Sequence, residues 1–476
     1  MTNIKRSFFW SAVEQVGFQF FNFVISVILA RLLEPSDYGL IGMSALFVGL
    51  ANLFSDSGFS SALIQKKTIT LDDETSVFAL NIIAGIILAI ILYFASPLVA
   101  QFYNQPILIP LLTVNAIIVV LSSSVIVQHA LLQRNMQFKR IAAITIISTI
   151  ISGITGIGMA YSGFGVWSLL GQGMIAALIR LLLFWTISPW RPLGKIRLQS
   201  IKSMWGYSSN ILGAQTVGVV YQNMYSVIIG KVYSADSLGY YNRANNLRML
   251  PVTILIGAIQ RVTFPYFSKH QDDKGLLLKS VREVIRNTIL LSASGLVLLV
   301  VVADPLIPLL LTNKWESVIP LLRILCCAAI ITPVSSLNLM TLQALGYAHL
   351  NFRIELFKMV YGVVIVAIVF SYGVDILAWS VVVTSVLSYF INVWYSVRLI
   401  GYQWRMQAYD LLPAIILCVS SGGTTWWIGS LYSVDAFTVL AIECFVFIAF
   451  IVIGIYFLRN IFFKSLWKLI FPVILA

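Results

Sequence analysis

The chain has 476 residues, of which 59% are apolar and 10% charged, against about 45–50% apolar and about 25% charged in an ordinary soluble domain. A mean hydropathy of +0.92 held over that length excludes a soluble enzyme, and because a spanning helix takes about 20 mostly apolar residues, the chain reads as an all-α polytopic membrane protein. The net charge of +13 then belongs to loops on one side of a membrane rather than to a nucleic-acid surface, and no nucleic acid is expected as a partner.

Apolar runs bounded by charges and turn residues give fourteen candidate spans, at 8–32, 38–64, 75–100, 108–132, 140–161, 163–188, 207–231, 237–267, 285–303, 316–345, 351–372, 375–399, 409–431 and 436–459. The first is too long for a signal-peptide core and lacks a small-residue cleavage site, so it is expected to stay as a helix. Along it Ser11, Gln15, Gln19, Asn22 and Ser26 recur every three or four residues and form one polar face. Glu14 lies beside that face near its start, where it either pairs with Lys5 or Arg6 or serves as a proton or cation relay.

After the sixth span, residues 189–206 carry Arg191, Lys195, Arg197 and Lys202, with Leu198, Ile201 and Trp205 at helical spacing. This segment reads either as a basic amphipathic helix at the membrane interface or as a solvated linker. The seventh span repeats the polar stripe with Gln215, Gln222 and Ser226. Two matching stripes point to a hydrated cleft, with interhelical hydrogen bonding as the alternative.

The eighth span places Arg243 and Arg248 at depth, and Arg323 lies in the tenth. An arginine inside a membrane must pair, line water or snorkel, and its planar fork suits a phosphate. Asp56 and Glu443 fall near the ends of their spans, and the tail from Ile461 to Leu469, with Lys464 and Lys468, reads as a second interfacial segment. Cys326, Cys327, Cys418 and Cys444 sit in apolar runs without ligand spacing, so neither a metal site nor a disulfide is expected. His129, His270 and His349 are scattered, and no Walker loop, dinucleotide fingerprint or catalytic triad order occurs. With short outer loops, the chain reads as a non-enzyme without a cofactor.

Charge distribution sets the topology. With the N-terminus and every second loop on the cytoplasmic side, that side holds 23 of the 31 Lys and Arg; the other side holds only Arg31, Lys231 and Lys314, and five lie within spans. Both termini are therefore expected in the cytoplasm. A shift of 200 residues aligns Gln15 with Gln215, Asn22 with Gln222, Arg31 with Lys231, Gly39 with Gly239 and Asp72-Asp73 with Asp272-Asp273, and a shift of 214 aligns Ala130-Leu131 with Ala344-Leu345. The expected plan is two parallel six-helix lobes, 1–188 and 207–399, joined by the linker 189–206 and followed by two extra helices and a basic tail in 400–476.

Six strings occur in order: Ala30-Arg-Leu-Leu-Glu-Pro-Ser-Asp-Tyr-Gly39, Asp56-Ser-Gly-Phe-Ser-Ser-Ala-Leu-Ile-Gln65, Ala130-Leu-Leu-Gln-Arg-Asn-Met-Gln-Phe-Lys139, Gly165-Val-Trp-Ser-Leu169, Ile229-Gly-Lys231 and Leu238-Gly-Tyr-Tyr-Asn-Arg-Ala244. Together they resemble the polysaccharide-transporter branch of the MOP flippase superfamily, the Wzx-like lipopolysaccharide and colanic-acid exporters. The resemblance implies a V-shaped pair of lobes in the bacterial inner membrane that flips a polyprenyl-pyrophosphate-linked oligosaccharide to the outer leaflet. Tyr225 stands where such a chain is expected to have an acid before the Ile-Gly-Lys motif, and the first-helix face is neutral where lipid II flippases carry charge.

The resulting expectation is alternating access, with Gln15, Gln19, Asn22, Gln215 and Gln222 facing the glycan and Arg248, then Arg243 and Arg323, holding the pyrophosphate. Coupling, if any, is to a proton or sodium gradient, with Glu14 the candidate group. The partners are the lipid-linked oligosaccharide, membrane lipid, and a glycan polymerase or glycosyltransferases of the same pathway. The competing readings are a cation-coupled multidrug antiporter of the MATE type, which needs a deep acidic site, a membrane glycosyltransferase or polymerase, which needs a large outer loop, and a non-transporting scaffold.

Overall fold

The computed structural model describes residues 2–431 and 435–458, and among them every regular element is helical. The first six spans become α1 (Thr2–Leu32), α2 (Pro35–Asp56), α3 (Phe59–Gln65), α4 (Leu71–Tyr103), α5 (Leu108–Ser123), α6 (Ile126–Arg134), α7 (Phe138–Tyr161) and α8 (Val166–Ile187). The remainder is α9 (Leu198–Val232), α10 (Ala235–Lys269), α11 (Lys274–Val301), α12 (Ala303–Leu311), α13 (Val318–Ile330), α14 (Thr332–Ala344), α15 (Ala348–Val369), α16 (Val374–Ile400), α17 (Trp404–Ser430) and α18 (Ala436–Leu458).

Twelve segments among the described residues are long and apolar enough to cross a membrane. The expected spans at 207–231 and 351–372 are helical, within α9 and α15, but are not among those twelve. In α9, Asn210, Gln215, Thr216, Gln222 and Asn223 dilute the apolar run; in α15, Arg353, Glu355 and Lys358 charge its first turns. The expected interfacial tail at 461–469 lies outside the described residues.

Three spans are broken helices. Ser57 and Gly58, both in the left-handed region at φ +49° and +72°, separate α2 from α3. The fourth span divides into α5 and α6, and the tenth into α13 and α14, where Pro333 near the start of α14 lacks a backbone donor. The fourth and tenth occupy equivalent places in the two sequence repeats, and the aligned pairs Ala130-Leu131 and Ala344-Leu345 fall in or just after the second piece of each. The aligned acidic pairs also correspond: Asp73 completes the capping box of α4 with Thr70, and Asp273 caps α11 by accepting from the Leu276 amide at 2.9 Å.

The chain divides into compact units Met1–Gly239 and Tyr240–Ala476. The expected lobe boundary lay at the linker, so this compact division differs from it. The reason is the packing of α9, which lies against α2, α3 and α4 and so belongs to the first unit. Residues 198–206 are the first two turns of the continuous α9. Of the expected apolar face, Leu198 and Trp205 are exposed and Ile201 packs against the core cluster that Met204 forms with Phe59, Ala62, Leu63, Val77, Val127 and Leu131.

The stretch before α9 is exposed along much of its length, with Leu193 and Ile196 outward, and is stitched to the start of α4 by its backbone. The amides of Gly194, Lys195 and Arg197 donate to Thr75 Oγ1, Asp72 Oδ1 and Ser76 Oγ at 3.0, 2.7 and 2.8 Å. Trp190 Nε1 donates to Glu74 Oε2 at 2.6 Å, and Arg197 pairs with Asp72 at 2.7 Å. Asp72 and Glu74, the first-turn acids on either side of the capping Asp73, thus receive the basic linker. Arg134 closes α3 by donating to the carbonyls of Leu63, Ile64, Lys66 and Lys67 at 2.6–2.9 Å, a cation at a helix C-terminus.

In the second unit, α11 forms one side of a core that includes Phe267, Ile285, Ile289, Leu337, Tyr402, Leu411, Ala414 and Phe447. The two C-terminal helices are therefore integral to this unit. Asp410 of α17, fully buried, accepts from Arg282 Nε at 2.7 Å, Arg286 Nε at 2.7 Å and Tyr402 Oη at 2.8 Å, which ties α17 to α11.

Candidate functional site

The polar stripe of α1 belongs to one helical row, Gln15–Gln19–Asn22–Ser26–Leu29–Leu33, with steps of four and three residues. Gln15 is exposed and Gln19, Asn22 and Ser26 are half-buried, whereas Leu29 and Leu33 at the C-terminal end are 1% and 2% exposed. Another side of α1 is packed on α7, where Gly17 meets Ile146 and Gly153 receives Ile25. Ser11 falls among residues whose side chains are not described, as do Lys5 and Arg6, the expected partners of Glu14.

In α9 the equivalent row runs Met204–Ser208–Gln215–Gln222–Ser226–Ile229. Met204 and Ser208 are buried at one end, Ser226 and Ile229 at the other, and Gln215 and Gln222 are exposed between them. This face is packed at both ends and exposed in its polar middle. α1 and α9 are not principal packing neighbours, so the first unit presents two separated neutral polar rows.

Beyond the Leu33 and Ile229 ends of these rows the first turns of α2 and α10 meet. A Cβ on Gly39 would lie 1.8 Å from the carbonyl oxygen of Ala235, and one on Gly239 would lie 2.0 Å from the carbonyl oxygen of Pro35. The four residues are related in pairs by the 200-residue shift, so the contact is reciprocal: each repeat places its glycine on the other's helix-starting backbone. Nearby, Lys231 of the Ile-Gly-Lys motif donates to the Phe102 carbonyl at the end of α4 and lies 4.9 Å from that ring's centroid. The motif residues are thus packing and capping groups at this end.

The three arginines have different surroundings. Arg243 is 5% exposed and lies 5.7 Å from the centroid of the Trp315 ring. Arg248 donates from Nε to Asn245 Oδ1 at 2.9 Å and from Nη1 to the Leu325 carbonyl at 3.2 Å. Arg323 pairs with Asp304 at 2.6 Å and also donates to the Val300 carbonyl at 3.4 Å. Trp315, Asn245 and Asp304 were not singled out from sequence; Asn245, three residues before Arg248 on the same helix, was the one with a readable signal.

The acids in the spans are mostly committed to structure. Asp56 accepts from the Ser60 amide and hydroxyl at 3.2 and 2.7 Å, Asp73 pairs with Lys66 at 2.8 Å, and Asp410 is held by two arginines. Among the described residues no cluster of three or more His, Cys, Asp or Glu is placed to hold a metal ion.

Comparison with known proteins decides the family. Residues 28–320 match the family model described as polysaccharide biosynthesis protein. The chain belongs to that family. It is 26% identical to the succinoglycan biosynthesis transport protein ExoT of Rhizobium meliloti over 86% of this chain and 81% of that one. It is 26% identical to the lipopolysaccharide biosynthesis protein WzxC of Escherichia coli over 73% and 71% of the two chains. With the teichuronic acid biosynthesis protein TuaB of Bacillus subtilis it shares 24% over 87% and 86%. Among solved structures, the lipid II flippase MurJ in an inward closed conformation superposes with a TM-score of 0.78 at 14% identity, covering 94% of this chain and 99% of that one. An inward-facing multidrug MATE transporter of the MOP superfamily gives 0.63 at 14% identity, covering 82% and 98%. The chain shares the fold of these two solved structures.

Proposed function

We propose that the protein is a flippase that carries a polyprenyl-pyrophosphate-linked oligosaccharide from the inner to the outer leaflet of the bacterial cytoplasmic membrane by alternating access. The observation that carries this reading is the pair of neutral polar rows on α1 and α9, open at mid-helix and shut at the outer end, in a chain of the polysaccharide biosynthesis family. Neutral amides suit a glycan, which offers hydroxyls rather than charge. The names of the relatives, transport and biosynthesis proteins for surface polysaccharides, agree with such a cargo. In this reading Gln15, Gln19, Asn22, Gln215 and Gln222 contact sugars, and Arg248, steadied by Asn245, meets the pyrophosphate, with Arg243 in support. Arg323 takes the lesser part because Asp304 already balances it. Glu14 is the proposed group for coupling to a proton or sodium gradient, and a polymerase or glycosyltransferases of the same pathway are the proposed partners.

The test is the double replacement of Gln19 and Gln222 by leucine. Export should fall about tenfold or more, the equivalent of one to two lost hydrogen bonds, with lipid-linked oligosaccharide accumulating in the inner leaflet and protein levels unchanged. Undiminished export would leave the rows as structural features. Arg248→Ala should cost about 10- to 100-fold, the range for a hydrogen bond to a charged group, while Arg248→Lys, which keeps the charge and loses the fork, should retain part of the rate.

Topology is checked separately with single cysteines in a cysteine-free background. Leu193 is 82% exposed and lies in the basic linker, and Ser234 is exposed on the opposite connection. An impermeant thiol reagent added to intact cells should label position 234 and spare 193; the reverse pattern would overturn the assignment of both termini to the cytoplasm.

A further inference from the structure

In the second unit Phe357 of α15, Phe390, Ile391, Trp394 and Tyr395 of α16 and Trp404 of α17 line an open surface hollow of about 620 Å³. Its volume falls within the about 300–1,000 Å³ of typical ligand sites. The wall is built rather than incidental. Phe390 and Trp404, from different helices, sit 5.4 Å apart by ring centroid, and Tyr389 beside Phe390 donates to Gln407 Oε1 on α17 at 2.9 Å. Phe357 closes the α15 side and stacks edge-on to Tyr361 at 5.8 Å.

The hollow has charge beside it. On α16 the lining residues 390, 391, 394 and 395 are followed one turn later by Arg398, whose guanidinium lies 4.7 Å from the centroid of the Trp394 ring. Arg405 follows the lining Trp404 in the first turn of α17. Among the described residues neither arginine is in an ion pair, whereas the nearby Lys358 is neutralised by Glu355 at 2.9 Å. Both arginines flank the turn between α16 and α17, on the side where the chain concentrates its positive charge.

An apolar hollow with the Arg398 guanidinium over one of its lining rings and Arg405 next in sequence to another is complementary to an amphiphile with an anionic head. We propose that it is a binding site for an anionic phospholipid of the cytoplasmic leaflet, one acyl chain lying among the aromatic rings and the phosphate meeting Arg398 and Arg405. A bilayer covers every lipid-facing surface, but a convex helix face neither encloses a chain nor selects a head. This one is concave and carries fixed charge. The proposal is independent of the glycan cargo.

The protein, purified in detergent, is titrated with phosphatidylglycerol and, in parallel, with phosphatidylethanolamine, and bound lipid is counted by native mass spectrometry. Phosphatidylglycerol should be retained at least fivefold more strongly. The variant Arg398→Gln/Arg405→Gln, altered only on exposed side chains, should lose that preference. Trp394→Leu, at normal yield, should weaken retention of both lipids. A third titration uses undecaprenyl phosphate with phosphatidylglycerol already bound, and no displacement at equimolar amounts is expected. Equal retention of the two phospholipids, an unchanged preference in the double arginine variant, or ready displacement by the polyprenyl phosphate would each overturn the proposal. Because the readout is binding in detergent, failure here leaves the transport reading untouched, and loss of transport leaves this site untouched.

Discussion

Export should fall at least about tenfold when Gly39 is replaced by valine, with the protein still inserted at normal levels. A Cβ at this position would lie 1.8 Å from the Ala235 carbonyl oxygen and 2.5 Å from its carbon, and a helix-starting backbone cannot rotate aside as a side chain can. Overpacking against well-placed atoms costs roughly 1–3 kcal/mol and occasionally more, which shifts a two-state equilibrium by about an order of magnitude or beyond. The glycine is helical, so valine is not excluded by its backbone conformation; what it opposes is the close approach of α2 and α10. Gly239→Val should behave alike, because its Cβ would lie 2.0 Å from the Pro35 carbonyl oxygen. Gly423→Ala, in open space on α17, serves as a control and should be silent. A cysteine at Ser26 should become more accessible from outside in the Gly39 variant. Full export, or unchanged accessibility at Ser26, would show that the approach of the two turns is not part of the cycle.

Asp410→Ala should destabilise the second unit by about 3 kcal/mol, read as a lowered melting temperature of the purified protein. Removing one partner of a buried ion pair typically costs about 3–5 kcal/mol because the remaining charge is left uncompensated. Here two guanidinium groups lose their carboxylate and the Tyr402 hydroxyl loses its acceptor. The side chains of Arg282 and Arg286 are 28% and 21% exposed, so partial hydration places the loss at the low end of that range. Arg282→Met combined with Arg286→Met and Asp410→Leu should recover most of it, since apolar groups of similar volume replace the cluster without leaving a charge behind. Failure of the triple variant to recover would mean that the cluster directs the docking of α17 rather than merely balancing charge.

Much of the candidate site could be read from residue spacing. The polar row of α1 follows from Gln15, Gln19 and Asn22 falling three and four apart, and the helix brings such residues to one side whatever surrounds it. The row of α9 was legible from Gln215 and Gln222 for the same reason. The reading of an apolar face within 189–206 came from the same rule applied without packing. Leu198, Ile201 and Trp205 do share a side, but the helix turns Met204 toward Phe59 and Leu63 and leaves Leu198 and Trp205 outward. In a membrane protein apolar residues are at home both in the core and against lipid, so periodicity does not say which face is which.

The sequence by itself determined the class and family, because hydropathy and the placement of charge are properties of segments and need no tertiary contact to act. It also contained the 200-residue correspondence, but only as a list of matching letters. Tertiary structure decided what the correspondence does: Gly39 and Gly239 meet each other's repeats, and α9 packs on α2, α3 and α4. It likewise decided the fate of the arginines, pairing Arg323 with Asp304 and setting Arg248 against Asn245 and the Leu325 carbonyl. A side chain's partner depends on which helices lie side by side. That neighbourhood is set by the packing of the whole bundle, which spacing along one helix does not encode.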